Sequence, residues 1–198
     1  MAGREAPDSA TGAARLAVLG SPIAHSRSPR IHAAAYRVLG LPWSYEAIEC
    51  DEAGLEPLLA GMGAEWRGLS LTMPLKEEAH RLATVLDPVA EESGVVNTLL
   101  RVLGGTSGES RWAGFNTDVG GLAAAIRDAG LDASHTIVIG SGATAVSAIL
   151  AARRLGARHV EVVARNTGAV GDLVARFGDT REGGGAAPLH VRCTPPHA

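Results

Sequence analysis

The sequence predicts an α/β protein with mainly parallel sheets, and two observations lead to that prediction. Short apolar runs alternate along the chain with segments of helical periodicity, an order that favours parallel strands covered by helices. In the second half of the chain an apolar run leads directly into a glycine-rich turn and a helix, as in a βαβ unit. We expect two domains, at residues 1–118 and 119–198.

The first domain is predicted from capping and turn signals between its apolar runs. Ser28 as N-cap and Pro29 are typical of a helix start, Gly40 of a helix end, and Asp51 of the cap of the next helix. Helices are expected at residues 28–39, 51–61 and 74–84. Strands are expected at residues 15–19, 43–50, 68–72, 95–102 and 111–115.

The second domain begins with a predicted helix over residues 118–129, which ends at Gly130. Thr136–Ile139 is predicted to be a buried strand, and the helix that follows the glycine-rich turn is expected to reach Leu155. The remaining elements are a strand at 159–163, a helix at 168–177 and a short strand at 189–193.

Composition excludes several classes of protein. The 198 residues include 18 basic and 21 acidic side chains, for a net charge of −3, so an electrostatic nucleic-acid or membrane-surface binder is not expected. No apolar run approaches the roughly 20 residues that span a bilayer, and the first residues lack an apolar signal core, so we expect a cytoplasmic protein. Cys50 and Cys193 match no metal or disulfide spacing.

The glycine-rich turn matches the dinucleotide-binding pattern. Gly140 permits a tight turn, Gly142 lets the backbone approach a pyrophosphate at the helix start, and Ala145 takes the variable third position. Arg165 follows the next strand, where an acid is typical of NAD and an arginine of NADP. A merely structural turn is the alternative. The predicted cofactor-binding residues are Gly140, Ser141, Gly142, Ala143, Thr144, Ala145 and Arg165.

Two serines stand at the start of the first helix. The hydroxyls of Ser26 and Ser28, together with unpaired backbone N–H groups, can bind a small anion such as a carboxylate. On this segment alone a structural role is favoured, with Ser28 as a simple cap. His25 and His32 are expected to be packed or solvated and not catalytic. No pair of histidines has metal-ligand spacing.

Lys76 is the only lysine among the 18 basic residues. It is predicted in the first turn of a helix, where the helix dipole disfavours a cation, and such a lysine is a candidate for acid–base chemistry. Thr72 ends a strand, so both side chains can face a cleft at the carboxyl edge of the sheet. A solvated surface lysine beside Glu77 and Glu78 is the alternative.

Two asparagine–threonine pairs offer polar groups for a polyhydroxylated ligand. Asn97 and Thr98 are predicted within a strand, and Asn116, Thr117 and Asp118 lead into the helix at the domain boundary. The alternative is structural: Thr117 or Asp118 caps the helix, and Asn97 satisfies backbone groups.

Taken in order, these motifs resemble the shikimate dehydrogenase family over about residues 16 to 170. The segments that carry the resemblance are 20–29, 71–76, 96–98, 114–118 and the turn at 140. It implies a substrate domain, a Rossmann-type NADP domain, and reversible reduction of 3-dehydroshikimate to shikimate in aromatic amino acid biosynthesis. No metal is implied, and the chain would be a monomer or a homodimer.

The resemblance also implies roles for single residues. Ser26 and Ser28 would bind the substrate carboxylate, and Thr72, Asn97 and Asp118 the ring hydroxyls. Lys76 and Asp118 would form the catalytic pair at the carbonyl group.

The sequence departs from the family pattern in three places. Ser70 replaces a common asparagine, the glycine turn has an unusual Gly-Ser-Gly-Ala form, and no later segment supplies the glutamine that family members add to the substrate site. We therefore expect a chain truncated at its C-terminus, with a partial NADP domain. The alternatives are a quinate or aminoshikimate dehydrogenase, or a non-catalytic module that binds shikimate and nucleotide.

Overall fold

The computed structural model describes residues 12–103, 110–178 and 190–194. The chain divides into two compact units, Met1–Phe115 and Asn116–Ala198, and each unit contains its own sheet. None of the helices in the described ranges is long and apolar enough to cross a membrane.

The first unit has a six-stranded mixed sheet. Its strands are β1 Ala14–Gly20, β2 Trp43–Glu49, β3 Trp66–Leu71, β4 Val85–Leu86, β5 Thr98–Leu103 and β6 Ser110–Phe115. Its helices are α1 Ser28–Leu39, α2 Glu52–Gly61, α3 Lys76–Leu82 and α4 Pro88–Ser93. The strand order is β2-β1-β3-β5-β6-β4; β1 is parallel to β2 and β3, and β5 is antiparallel to β3 and β6.

The core of the first unit lies between the central strands and helices α2 and α3. Leu19 on β1, Leu55 on α2 and Leu99 on β5 are fully buried in one apolar cluster. Leu75, just before α3, is also fully buried in it. The carboxyl ends of β1 and β3 are thereby fixed, and the chain leaves these ends through the segments that carry the predicted substrate residues.

Three local predictions for the first unit were wrong. The short elements β4 and α4 were missed, although Asp87 accepts a hydrogen bond from the Ala90 amide as the N-cap of α4. Strand β5 begins at Thr98, so Asn97 precedes the strand and does not lie within it. Helix α3 begins at Lys76, because residues 73–75 form a turn.

The second unit has a three-stranded parallel sheet in the order β7-β8-β9. Its elements are α5 Asp118–Asp128, β7 His135–Ile139, α6 Ala143–Arg154, β8 His159–Val163, α7 Thr167–Phe177 and β9 His190–Thr194. The βαβαβ order after α5 is that of one mononucleotide-binding half of a Rossmann-type fold.

The prediction that Thr136–Ile139 is fully buried was wrong. Ile137 is 66% exposed and Ile139 is 86% exposed, whereas Val138 is buried opposite Val162 on β8. Successive side chains of a strand point to opposite faces, so only the face that carries Val138 is covered in the described residues. An all-apolar run does not reveal this difference, because periodicity carries no signal in it.

Candidate functional site

The segment of residues 21–28, which leads from β1 into the start of α1 and is here called the serine loop, makes two backbone hydrogen bonds that help to fix it. The Ser21 amide donates to the Met73 carbonyl at 3.0 Å, and the Ser26 amide donates to the Ile23 carbonyl at 2.9 Å. Ile23 is buried and anchors the middle of the loop. Ser26 and Ser28 are both half-buried at the entrance to α1.

The capping hydroxyl of α1 comes from Ser26 and not from Ser28. The Ser26 Oγ accepts a hydrogen bond from the Ser28 amide at 3.3 Å, and α1 begins at Ser28 after Arg27, which makes no side-chain cap. The prediction of Ser28 as N-cap was therefore wrong, because Ser28 is the first residue of α1 and Arg27 is the N-cap. The Ser28 hydroxyl is not used as the cap, which suits it to a ligand-binding role.

Glu49, the last residue of β2, contacts the serine loop through both carboxylate oxygens. Its Oε1 accepts from the Ser21 hydroxyl at 2.7 Å, and its Oε2 accepts from the Ile23 amide at 3.1 Å. These two hydrogen bonds, with a smaller contribution from the charge of His25, lower the pKa of the Glu49 carboxyl. The carboxylate contacts are therefore present above the ordinary pKa of a glutamate and are lost as the pH falls through the lowered value.

Residues 72–76, here called the lysine turn, connect β3 to α3. The Thr72 amide donates to the Leu19 carbonyl at the end of β1, and the Leu75 amide donates to the Thr72 carbonyl, both at 2.9 Å. The Lys76 carbonyl accepts from the Val96 amide at 2.9 Å. The half-buried Lys76 therefore starts α3 next to the segment that carries Asn97.

Asn97 connects three strands at their ends. Its carbonyl accepts from the Leu71 amide at 2.7 Å, and its amide donates to the Phe115 carbonyl at 3.0 Å. Its side-chain Oδ1 accepts from the Thr98 hydroxyl at 2.9 Å. Backbone hydrogen bonds thus place the predicted residues Thr72, Lys76 and Asn97 around one region of the first unit.

Ser70, which departs from the family pattern, is the hydrogen-bond partner of Tyr45. The Tyr45 hydroxyl donates to the Ser70 Oγ at 2.8 Å, and burial raises the pKa of Tyr45. The Tyr45 ring stacks on His32, with 3.9 Å between ring centroids, and His32 Nδ1 lies 2.9 Å from the Ser28 carbonyl oxygen. His32 is therefore a packed residue, as the sequence predicts.

Gly20 allows the serine loop and the lysine turn to approach each other. A Cβ at this position would lie 2.5 Å from Thr72 Cγ2 and 2.9 Å from the Met73 carbonyl oxygen. We expect Gly20→Ala to reduce the free energy of unfolding by about 1–3 kcal/mol, because one of these neighbours must move. Urea unfolding measures the effect, and Gly61→Ala, where a Cβ meets nothing within 4 Å, is the matched control. An unchanged midpoint for Gly20→Ala would contradict the close approach.

In the second unit, Asn116 and not Thr117 supports the start of α5. The Asn116 Oδ1 accepts from the Asp118 amide at 3.0 Å, and its Nδ2 donates to the Ser147 hydroxyl on α6 at 3.3 Å. Asn116 is buried, and the N-cap Thr117 makes no side-chain cap. The amide of Asn116 is thus structural, and the half-buried Asp118 is placed at the first residue of the helix.

The glycine turn opens into a cavity of about 440 Å³ between the ends of β7 and β8. Its lining residues are Ile139, Gly140, Ser141, Val163, Ala164, Arg165 and Asn166. Gly140 has φ +123°, which favours glycine, and its amide donates to the Val163 carbonyl at 2.8 Å. The cavity thus joins apolar walls, suited to a base, with the exposed side chain of Arg165.

The other predicted cofactor residues belong to the start of α6. Gly142 is the N-cap, without a side-chain cap, and a Cβ there would meet nothing within 4 Å. Ala143 and Thr144 form the first turn of α6, whereas Ala145 is buried and packs the helix. Sequence reasoning missed Ile139 and Val163 as cavity walls, since apolar strand residues carry no functional signal.

Comparisons with known proteins agree with the motifs. Residues 18–99 match the sequence model of a family described as shikimate dehydrogenase substrate binding domain. A shikimate dehydrogenase (NADP(+)) of Anaeromyxobacter sp. (strain Fw109-5) is 38% identical over 176 residues, which are 88% of this chain and 61% of that relative.

The chain is similar in sequence and fold to shikimate dehydrogenases over most of its length. The matched range contains Ser26, Ser28, Thr72, Lys76 and Asn97, whereas Asp118 and the glycine turn lie beyond it.

Solved structures of shikimate dehydrogenases share the fold. The enzyme of Mycobacterium tuberculosis is 42% identical, with a TM-score of 0.75 over 91% of this chain and 63% of that chain. A shikimate 5-dehydrogenase of Thermus thermophilus, in complex with NADP(H) and shikimate, is 34% identical, with a TM-score of 0.74 over 92% of this chain and 63% of that chain. In each of these comparisons the chain spans less than two thirds of its relative's length.

Proposed function

We propose that the chain carries the substrate-binding unit and the adenosine-binding half of the cofactor unit of an NADP-dependent shikimate dehydrogenase. The reaction is the reversible reduction of 3-dehydroshikimate to shikimate. One observation chiefly supports the proposal. Backbone hydrogen bonds bring the segments of Thr72, Lys76 and Asn97 together, and all three residues lie within the range that matches the substrate-binding domain. The Anaeromyxobacter relative is named a shikimate dehydrogenase (NADP(+)), and the Thermus structure is a complex with NADP(H) and shikimate.

Substrate recognition is assigned to hydroxyl, amide and carboxylate side chains. Ser26 and Ser28 bind the carboxylate at the entrance to α1, where backbone N–H groups and the helix dipole favour an anion. Thr72, Asn97 and Asp118 bind the ring hydroxyls, since their side chains offer directional donors and acceptors.

Lys76 and Asp118 are the proposed catalytic pair. Reduction of a ketone builds negative charge on the carbonyl oxygen, and the Lys76 ammonium stabilises that charge and delivers a proton to the oxygen. The Asp118 carboxylate orients the ammonium. The hydride would come from NADPH when it is bound.

The residues of the second unit fit NADP. Gly140 and Gly142 leave room beside the backbone, and the N–H groups at the start of α6 suit the pyrophosphate. The apolar walls Ile139 and Val163 suit the adenosine, and Arg165 suits the 2′-phosphate. A cytoplasmic location and a monomeric or homodimeric state belong to the same proposal.

Incubation of the purified chain with shikimate and NADP tests the proposal, with the reduced cofactor followed by absorbance. Turnover that requires both ligands is the expected result. Binding of shikimate by calorimetry without turnover would favour the second candidate, a non-catalytic module that binds shikimate and nucleotide. Absence of both turnover and binding would overturn the proposal.

The substrate class is tested by relative rates. Quinate and aminoshikimate carry the same carboxylate and neighbouring hydroxyl groups, so Ser26 and Ser28 would bind them as well. We expect the highest kcat/KM with shikimate, and a higher value with quinate or aminoshikimate would reassign the enzyme within the family.

Arg165 is predicted to set the cofactor preference. Replacing Arg165 by glutamine removes a charge-assisted contact to the 2′-phosphate, so the Kd for NADP is expected to rise roughly 10- to 100-fold while the Kd for NAD stays unchanged. Calorimetric titration of both cofactors measures the difference. Arg154→Gln, an exposed arginine in the last turn of α6, is the control. Equal losses for NADP and NAD would contradict the role of Arg165.

A further inference from the structure

Glu49 contacts the serine loop through two hydrogen bonds and lies outside the proposed substrate site. Its Oε1 accepts from the Ser21 hydroxyl at 2.7 Å, and its Oε2 accepts from the Ile23 amide at 3.1 Å. Each carboxylate oxygen therefore has a donor from the same loop. The next residue of the chain reinforces the attachment, because the Cys50 amide donates to the Gly20 carbonyl at 3.0 Å.

The serine loop is in turn connected to the lysine turn. Ser21, whose hydroxyl is bound by Glu49, donates its backbone amide to the Met73 carbonyl at 3.0 Å. A series of hydrogen bonds thus runs from the end of β2 through Ser21 to the segment that precedes Lys76. Movement of Ser21 would change the position of the serine loop relative to the lysine turn.

Because Glu49 is negatively charged, its role can be tested by whether its replacement strengthens or weakens substrate binding. A carboxylate near a loop that binds an anionic substrate repels that substrate, so removing the charge alone would improve binding. The hydrogen bonds of Glu49 act in the opposite direction, because they order the loop before the substrate arrives. Truncation and neutralisation of Glu49 therefore separate the two effects.

We propose that Glu49 is a positioning residue, which holds the serine loop in the conformation that presents Ser26 and Ser28 to the carboxylate of the substrate. This inference rests on the proposed function for its substrate. The ordering of the loop is a property of the free protein and is measured without any ligand.

The first experiment uses hydrogen–deuterium exchange of the ligand-free chain. In Glu49→Ala the peptide that covers residues 21–28 is expected to exchange faster than in the wild type, because the Ile23 amide loses its acceptor. Glu46→Ala is the matched control, since Glu46 lies on the same strand and pairs with Arg15 at 2.7 Å. Unchanged exchange of residues 21–28 in Glu49→Ala would overturn the inference, whatever the activity of the chain.

The second experiment measures shikimate binding and turnover. Glu49→Ala is expected to raise the Kd and the KM for shikimate roughly 5- to 50-fold, from the loss of two hydrogen bonds that order the loop, with little change in kcat. Glu49→Gln is expected to recover most of the affinity, because its Oε1 can accept from Ile23 while its amide donates to the Ser21 hydroxyl. Glu46→Ala is expected to leave both constants unchanged.

The outcomes distinguish this inference from the proposed function. A wild-type chain that does not bind shikimate counts against the proposed function, whereas a wild-type chain and a Glu49→Ala variant that bind equally overturn the role of Glu49. Tighter shikimate binding in both Glu49→Ala and Glu49→Gln would show that Glu49 only repels the substrate, and would also overturn the positioning role of Glu49. If Glu49→Ala does not fold, Glu49→Asp decides, because its shorter side chain cannot keep both contacts: affinity equal to the wild type would overturn the inference.

Discussion

Replacing Lys76 by alanine in an active full-length context is expected to lower the kcat for shikimate oxidation by about two to four powers of ten. The variant loses the group that is proposed to stabilise and protonate the carbonyl oxygen in the reduction, and to accept the same proton in the reverse direction. Substrate binding is expected to weaken far less, because the carboxylate contacts are assigned to Ser26 and Ser28. Steady-state kinetics with shikimate and NADP, combined with calorimetric binding, measure the two effects separately.

A matched control for Lys76 lies beside it in the same helix turn. Glu77→Ala changes an exposed neighbour in the first turn of α3 and is expected to keep kcat within about threefold of the wild type, the scale of a small electrostatic change. A Lys76→Ala variant with near-normal turnover would remove Lys76 from the mechanism and would leave only the binding roles of the first unit.

Replacing Leu75 by alanine is expected to reduce the free energy of unfolding by about 2–5 kcal/mol. Leu75 is fully buried in the apolar cluster of the first unit and immediately precedes Lys76. Alanine would leave a cavity under the lysine turn, so the variant is expected to raise the KM for shikimate as well as to lower stability. Urea unfolding of the chain, with circular dichroism as the signal, measures the loss.

Leu100→Ala is the control for Leu75→Ala, because Leu100 is 43% exposed and removal of its side chain leaves no enclosed cavity. Its expected cost is well below that of Leu75→Ala. Equal shifts of the two unfolding midpoints would contradict the assignment of Leu75 to the core.

Elements with local end signals could be predicted from the sequence. Helix α1, from Ser28 to Leu39, was predicted to within one residue at its start, and Asp51 caps α2 through the Gly54 amide at 2.9 Å. Both depend on residues whose backbone preferences act within a few positions along the chain. The parallel order of β7 and β8 followed in the same way from the helix between them.

The missed features depend on contacts between distant residues. The exposure of Ile139 follows from the uncovered face of β7 on which its side chain lies, opposite the face that carries Val138, and an apolar run does not encode which face is covered. The bond between the Lys76 carbonyl and the Val96 amide joins segments that are separated in sequence. Glu49 had no signal at all, because an acidic residue at a strand end is common and only the folded loop supplies its two donors.

For the candidate site, the sequence indicated residue types and an order of motifs, and the resemblance supplied roles. The structure adds which of these residues are close together in the first unit, where Thr72 and Asn97 belong to segments joined by backbone hydrogen bonds. The pairing of Lys76 with Asp118 stays a prediction, and the kinetics of the two single variants and of the double variant test it.

The lone lysine at the start of α3 makes this chain convenient for chemical labelling. Reductive methylation with isotope-enriched formaldehyde would mark a single ε-amine, and the methylated α-amino group gives a separate resonance. One NMR signal could then be assigned without mutagenesis and followed during titration with either ligand. The side chain that is proposed to transfer the proton thus serves as its own spectroscopic reporter.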